Sequence, residues 1–229
     1  MLFSSIPFLY YFLPIVFLVY FAVPKGFKNF VLLMASLFFY GCGEPKYLIL
    51  MSASILIGYG GGLLTGHAKK KGTKRAFLTL SVVLLAGLLG YFKYADFFIA
   101  NFNALTGLSV PLLRVTLPIG ISFYTFQILS YVIDVYCGDT PAQKNLITFA
   151  AYVSMFPQLI AGPIVRYTDV ERELETRTHS VSLAYEGVRR FLIGLSKKIL
   201  LANLFAELCD AFRASDEKSV LFHWLYAVG

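Results

Sequence analysis

The stretch LPIGISFYTFQILSYVIDVY, residues 117–136, is long enough to cross a bilayer yet keeps a glutamine and a carboxylate inside the crossing. About 20 residues at 1.5 Å rise match a hydrocarbon layer of about 30 Å. On a helical wheel, Gly120, Phe123, Tyr124, Gln127, Ser130, Tyr131 and Asp134 share one face, and Ile121, Ser122, Thr125, Leu129, Val132 and Ile133 the other. An aspartate at mid-membrane costs about 2.5 to 3.5 kcal/mol on insertion scales, so the polar stripe should face protein or a water-filled cavity rather than lipid. Two alternatives stay open for its members. Asp134 sits near the helix end, where it could rest at headgroup depth, and Gln127 and Ser130 could be interhelical hydrogen-bonding groups.

Composition puts the whole chain in the same class. Of its 229 residues, 58% are hydrophobic, 17% aromatic and 14% charged, well above the apolar share of soluble domains. The expected fold is all-α, a polytopic transmembrane helix bundle with short, broken or re-entrant helices. Net charge is +7, but the bases sit in short loops, so membrane orientation explains them and no nucleic-acid partner is expected. Cys42, Cys137 and Cys209, with His67, His179 and His223, match no metal or redox spacing; no metal site is expected.

In chain order, residues 1–23 lack the basic flank and cleavage site of a secretory signal and read as a first span. Lys25 and Lys28 follow it, which predicts an external N-terminus. Residues 29–40 form a short apolar segment that either spans or re-enters. Residues 47–64 form a fuller span. The loop 65–75, with Lys69, Lys70, Lys71, Lys74 and Arg75 and no acid, is expected in the cytoplasm. Residues 76–91 return outward, and 91–108 have the mixed aromatic and polar pattern of an interfacial helix. Residues 139–145 form a cytoplasmic turn.

Residues 146–164 would be the next span, but Pro157 and Pro163 each remove an amide donor and leave carbonyls near Val153 and Leu159 without helical partners. Such a break is tolerated only inside protein or along a cavity, which marks Gln158, Gly162 and Arg166 as candidates near a ligand path. A plain helix stop at Gly162-Pro163 is the alternative. If the segment dips and returns, the charged loop 167–180 is cytoplasmic. Residues 185–212, with Arg189, Arg190, Lys197 and Lys198, read as a surface helix that tips inward after Lys198. Residues 220–229 begin a further apolar element, so the chain is expected to be the N-terminal portion (1–229) of one longer domain.

Residues 117–136 and MFPQLIAGPIVRY, residues 155–167, resemble signature segments of the membrane-bound O-acyltransferase family, in its alginate O-acetyltransferase-like branch. The likeness extends to FFYGCGEPKYL (38–48), YFKYADFF (91–98) and the run 187–201. The resemblance implies an inner-membrane, multi-pass enzyme that takes an acyl group, usually acetyl, from a cytoplasmic thioester such as acetyl-CoA. It binds no resident cofactor and passes the group through a tunnel toward hydroxyls of an exported polysaccharide such as alginate. A separate periplasmic acyltransferase, the export machinery and membrane lipid are the implied partners. The family's catalytic histidine is expected beyond Gly229, no histidine here matches its motif, and residues 1–229 alone are expected to be inactive. On this reading Gln127, Tyr131, Asp134, Gln158, Gly162 and Arg166 line the substrate path, and Pro118, Gly120, Pro157 and Pro163 shape it. The competing readings are a secondary transporter or flippase and a non-catalytic membrane subunit of a polysaccharide export system.

Overall fold

The computed structural model describes residues 3–159, 162–215 and 219–228, and those residues are helical with no strand. The chain divides into two units, one built on Tyr10–Arg177 and the other on Thr178–Gly229 with the first residues of the chain.

The first unit contains α1 (Leu13–Ala22), α2 (Lys28–Gly41), α3 (Leu48–His67), α4 (Lys71–Thr106), α5 (Ile121–Cys137), α6 (Leu146–Ser154), the single turn α7 (Phe156–Leu159) and α8 (Tyr167–Glu175). The segments Pro45–His67 and Lys71–Thr106 are long and apolar enough to cross a membrane; Pro7–Ala22 and Ile121–Cys137 are shorter apolar helices. Large apolar side chains such as Phe17, Leu18, Ile49, Leu56, Leu80 and Val83 are exposed, as a lipid-facing surface requires.

Helix α3 packs closely on α4 and α5 because its inner face is glycine. A Cβ at Gly58 would collide with Ile128, and one at Gly62 would stand 2.5 Å from the Tyr131 ring. With no hydrophobic drive between helices in lipid, close backbone approach of this kind is what holds them.

Side-chain contacts fix which way each element runs. At one end of the bundle Asn29 Nδ2 donates to Thr148 Oγ1 (3.0 Å) and to the Leu174 carbonyl (3.1 Å). Lys74 lies over the Tyr136 ring at the same end of α5. At the other end Tyr40 donates to the Ile119 carbonyl (3.1 Å), Tyr47 to that of Thr116 (2.6 Å), and Glu44 accepts from the Ile119 amide (2.9 Å). Helix α2 therefore runs the length of the bundle from Asn29 to Tyr40.

The segment after α5 runs inward and then comes back. Helix α6 starts beside Asn29 and breaks at Met155, and the Phe156 amide then donates to Ser36 Oγ in the middle of α2 (3.2 Å). The Leu159 carbonyl reaches Gly120 at the far end of α5. By Val165 the chain is back against the Tyr152 hydroxyl, and α8 ends at Asn29 again. Residues 146–159 and 162–175 thus form a re-entrant hairpin whose two ends lie together.

Two readings change in detail. Residues 91–108 are no separate interfacial helix: α4 is one continuous helix of 36 residues, about 54 Å long, closed at Gly107 in the left-handed region (φ 73°). An extended strap, residues 108–118, then returns to α5. On α5 the buried face is broader than the polar stripe, because it packs on several helices: Ile121, Thr125 and Val132 are buried, while Phe123 is exposed.

The second unit contains α9 (Val181–Lys197), a π-helical turn (Lys198–Ala202), α10 (Asn203–Ala214) and α11 (Val220–Val228). Ser180 caps α9 by accepting from the Leu183 amide (3.1 Å), and Arg190 pairs with Glu186 one turn back (2.6 Å). The helical winding changes at Lys198.

Candidate functional site

The re-entrant hairpin brings most of the sequence-derived candidates together. Pro157 has no amide for the Val153 carbonyl, and its ring crowds that carbonyl, so α6 ends at Ser154. The Phe156 amide turns to Ser36, leaving the Tyr152 carbonyl without its helical donor. Gln127 Nε2 (3.1 Å) and Gln158 Nε2 (2.8 Å) both donate to that one oxygen. The two glutamines therefore satisfy a broken helix end deep in the protein, where an unpaired carbonyl would be costly. Ser130 donates back to the Gln127 carbonyl (2.9 Å).

Gly120 and Gly162 allow the hairpin to fit. Gly120 has φ 77°, and a Cβ there would stand 2.8 Å from the Leu159 carbonyl oxygen. A Cβ at Gly162 would stand 2.5 Å from Gln158 Cα. Pro118 accepts from the Ile121 amide (3.3 Å) in the turn that sets Gly120. Pro163 lies exposed on the return limb.

At the open end of the hairpin, Arg166 Nη2 donates to Asp134 Oδ1 at 2.6 Å. The pair is lopsided: the Asp134 side chain is 1% exposed and that of Arg166 57%. Asp134 thus lies buried against the return limb rather than free among headgroups. Its Oδ2 is buried and makes no hydrogen bond to protein, as is the Tyr124 hydroxyl. More than half of the Arg166 side chain thus remains uncovered by protein, with guanidinium donors beyond the one that Asp134 uses.

Tyr131 and Tyr167 complete the floor. The Tyr131 hydroxyl accepts from the Gln143 amide (2.9 Å), and Gln143 Nε2 donates to the Tyr167 hydroxyl (2.5 Å). The two rings meet edge to face at 5.2 Å, and Tyr152 meets Tyr167 likewise at 5.1 Å.

Tyr152, Ser36, Gln143 and Tyr167 were not among the sequence-derived candidates. Pro157 is the one local signal for the first two, since it dictates that some carbonyl and some amide must find partners outside the helix. Nothing local to Gln143 or Tyr167 announces their pairing. His67 and His223 each bond a carbonyl of their own helix or its cap, those of Leu63 (2.8 Å) and Ser219 (2.9 Å).

Comparison with known proteins points to one family. The profile described as MBOAT, membrane-bound O-acyltransferase family, matches residues 141–228, which takes in the hairpin. A probable alginate O-acetylase AlgI of Azotobacter vinelandii is 42% identical over 233 residues, covering 100% of this chain and 47% of the relative. The AlgI of Pseudomonas aeruginosa is 41% identical over 234 residues, covering 100% of this chain and 45% of the relative. A peptidoglycan O-acetyltransferase of Helicobacter pylori is 32% identical, covering 98% of this chain and 49% of that protein. The chain spans about half the length of these relatives. No solved structure matches it significantly.

Proposed function

The chain belongs to the membrane-bound O-acyltransferase family, in its alginate O-acetylase-like branch, and from that footing we propose that it acts in O-acylation of an exported polysaccharide. In this reading an acyl group, acetyl in the first instance, leaves a cytoplasmic thioester such as acetyl-CoA. It crosses the membrane and ends on hydroxyls of the polymer, alginate being the polymer that the bacterial relatives' names indicate. A periplasmic acyltransferase and the export machinery would receive it. The catalytic histidine is a residue that this reading still requires and does not assign.

The observation that carries the proposal is the re-entrant hairpin. It breaks regular helix inside a helical membrane bundle, is held by neutral amides, and has Arg166 exposed at the end where its two limbs meet. That end also carries Lys25, Lys69, Lys70, Lys71, Lys74, Arg75 and Lys144, and on the positive-inside tendency this reading takes it as the cytoplasmic end, with the strap outside. An arginine there faces the side on which an anionic thioester donor is found. Gln127, Gln158, Tyr131 and Gly162 would shape the inner wall, with Asp134 holding Arg166 in place.

The test is genetic and chemical. The gene is deleted from its host, and the secreted polysaccharide is assayed for ester-linked acetyl before and after complementation. Loss and recovery of the ester support the reading; unchanged ester content overturns it. Arg166→Leu is expected to weaken use of the donor, read as a higher KM for acetyl-CoA in membranes. Solute flux into vesicles, with ester content unaffected, would favour a transporter instead.

A further inference from the structure

Helix α4 is far longer than a crossing needs, and its surface shows what the surplus is for. Leu80, Leu84, Tyr91, Tyr94, Phe98, Phe102 and Leu105 are all exposed. At 100° per residue they fall within about 40° of one line along the helix. The opposite line holds Ser81, Leu85 and Leu89, all buried, and Phe92, packed edge to face on Tyr47 at 6.0 Å. The apolar line therefore continues without interruption from the third turn to the last, about 38 Å. No boundary marks where lipid contact should stop.

The strap that follows carries the same surface. Val110, Leu112, Leu113 and Leu117 are exposed, yet its backbone is tied down by side chains of its own hairpin and its neighbours. Asp96 Oδ1 accepts from the amides of Leu113 (2.7 Å) and Arg114 (3.3 Å), the latter held at φ 50°. Asn103 accepts from the Val110 amide (3.0 Å) and donates to the Val110 carbonyl (2.8 Å). Glu44 and Tyr47 bond Ile119 and Thr116. A loop bathed in water can leave backbone groups to solvent; one that presents apolar side chains to lipid has reason to bond them internally.

We propose that the hairpin formed by the end of α4 and the strap is a lipid-contacting wedge, seated in the headgroup layer and upper acyl region of one leaflet. Its occupant is the bilayer itself. The continuity of the apolar line on α4 with its membrane-crossing part argues for lipid over a soluble partner. The aromatic rings interleaved with Lys93, Asp96 and Asn101 suit the depth where apolar chains meet water. The proposal does not depend on the acyl-transfer reading.

The test uses the full-length protein in nanodiscs. Trp224 is the chain's single tryptophan; with Trp224→Phe as background and any tryptophan beyond residue 229 also replaced, Leu105→Trp and Leu112→Trp are made separately. Each is read against lipids brominated near the headgroup and against aqueous iodide. Loss of most of the emission to the brominated lipid, with a blue-shifted maximum and protection from iodide, is the expected result. Quenching by iodide with no response to brominated lipid overturns the proposal and turns the wedge into a water-facing surface. Emission that responds to neither quencher also overturns it, since the face is then covered by protein. Phe98→Trp, on the helical limb, serves where a strap variant fails to fold.

Discussion

The molecule contains two hairpins that leave regular helix, and they solve the same problem with opposite chemistry. In the re-entrant hairpin the freed Tyr152 carbonyl is met by two neutral amides, and the freed Phe156 amide by a hydroxyl. In the α4 hairpin the freed amides are met chiefly by carboxylates, Asp96 and Glu44. The first lies among buried rings and the second is exposed. The carbonyl needs a donor, which no carboxylate can supply. The like-for-like comparison is between the freed amides, met by the Ser36 hydroxyl in one hairpin and by carboxylates in the other. A carboxylate must give up far more hydration than a hydroxyl to act deep inside. Depth, then, selects the partner type. Asp134 is the instructive exception: a buried carboxylate, kept there by a guanidinium that itself reaches solvent.

The largest effect that would break the contrast is expected at Gly120. An alanine there must adopt a left-handed conformation and push on the Leu159 carbonyl, which is backbone and cannot swing away. Left-handed strain of about 1 to 2 kcal/mol and overpacking of about 1 to 3 kcal/mol should combine, giving a sharp loss of folded protein. Thermal melting in detergent, followed by size-exclusion, checks it. A Gly120→Ala variant that melts like the parent would mean that the hairpin does not press against the start of α5. Gly107, where a Cβ would meet nothing within 4 Å, is the control: alanine there carries the conformational strain alone.

A smaller effect is expected at the Asp134–Arg166 pair. Removing one partner of a buried pair costs about 3 to 5 kcal/mol, and a half-exposed guanidinium puts this one at the lower end or below. Arg166→Gln strands the buried carboxylate, so it should destabilise more than the double variant Asp134→Asn with Arg166→Gln. Melting of the two singles and the double closes the cycle. If the double variant is the least stable of the three, the pair is not what holds the return limb.

Residues 117–136 show how far a sequence reading reaches here. Period and length were enough to place a helix with a buried polar stripe, because hydrophobic patterning is local information. Phe123 shows the limit: it lies on the stripe's side of the wheel but points away from protein, since the width of a buried face depends on how many helices pack on it. The two prolines likewise announced a broken element between α6 and α8. That both its ends lie beside Asn29 cannot be read locally, because it rests on a bond across 119 residues. The 36-residue α4 was read as two elements for a related reason. Interleaved aromatic and polar residues signal an interface, and a continuous helix that runs into an interface carries the same letters as a separate one. Gln127 and Gln158 were legible as candidates from burial and position, whereas their joint target was not.

The last prediction sets the two hairpins against each other directly. Replacing Gln127 and Gln158 together by leucine leaves the Tyr152 carbonyl buried and unpaired, a loss of about 1 to 3 kcal/mol. Either single change leaves one donor in place and should cost about 1 kcal/mol or less, so the double exceeds the sum of the singles. Asn103→Ala removes two bonds from the Val110 peptide group on the exposed hairpin, where water at headgroup depth can replace them. Its cost should stay at or below about 1 kcal/mol, despite the equal number of hydrogen bonds lost. Equal penalties for the glutamine double and for Asn103→Ala would show that the strap is as dry as the core of the bundle. The wedge would then have to sit deeper than the headgroup layer, and partner chemistry would no longer be a guide to depth.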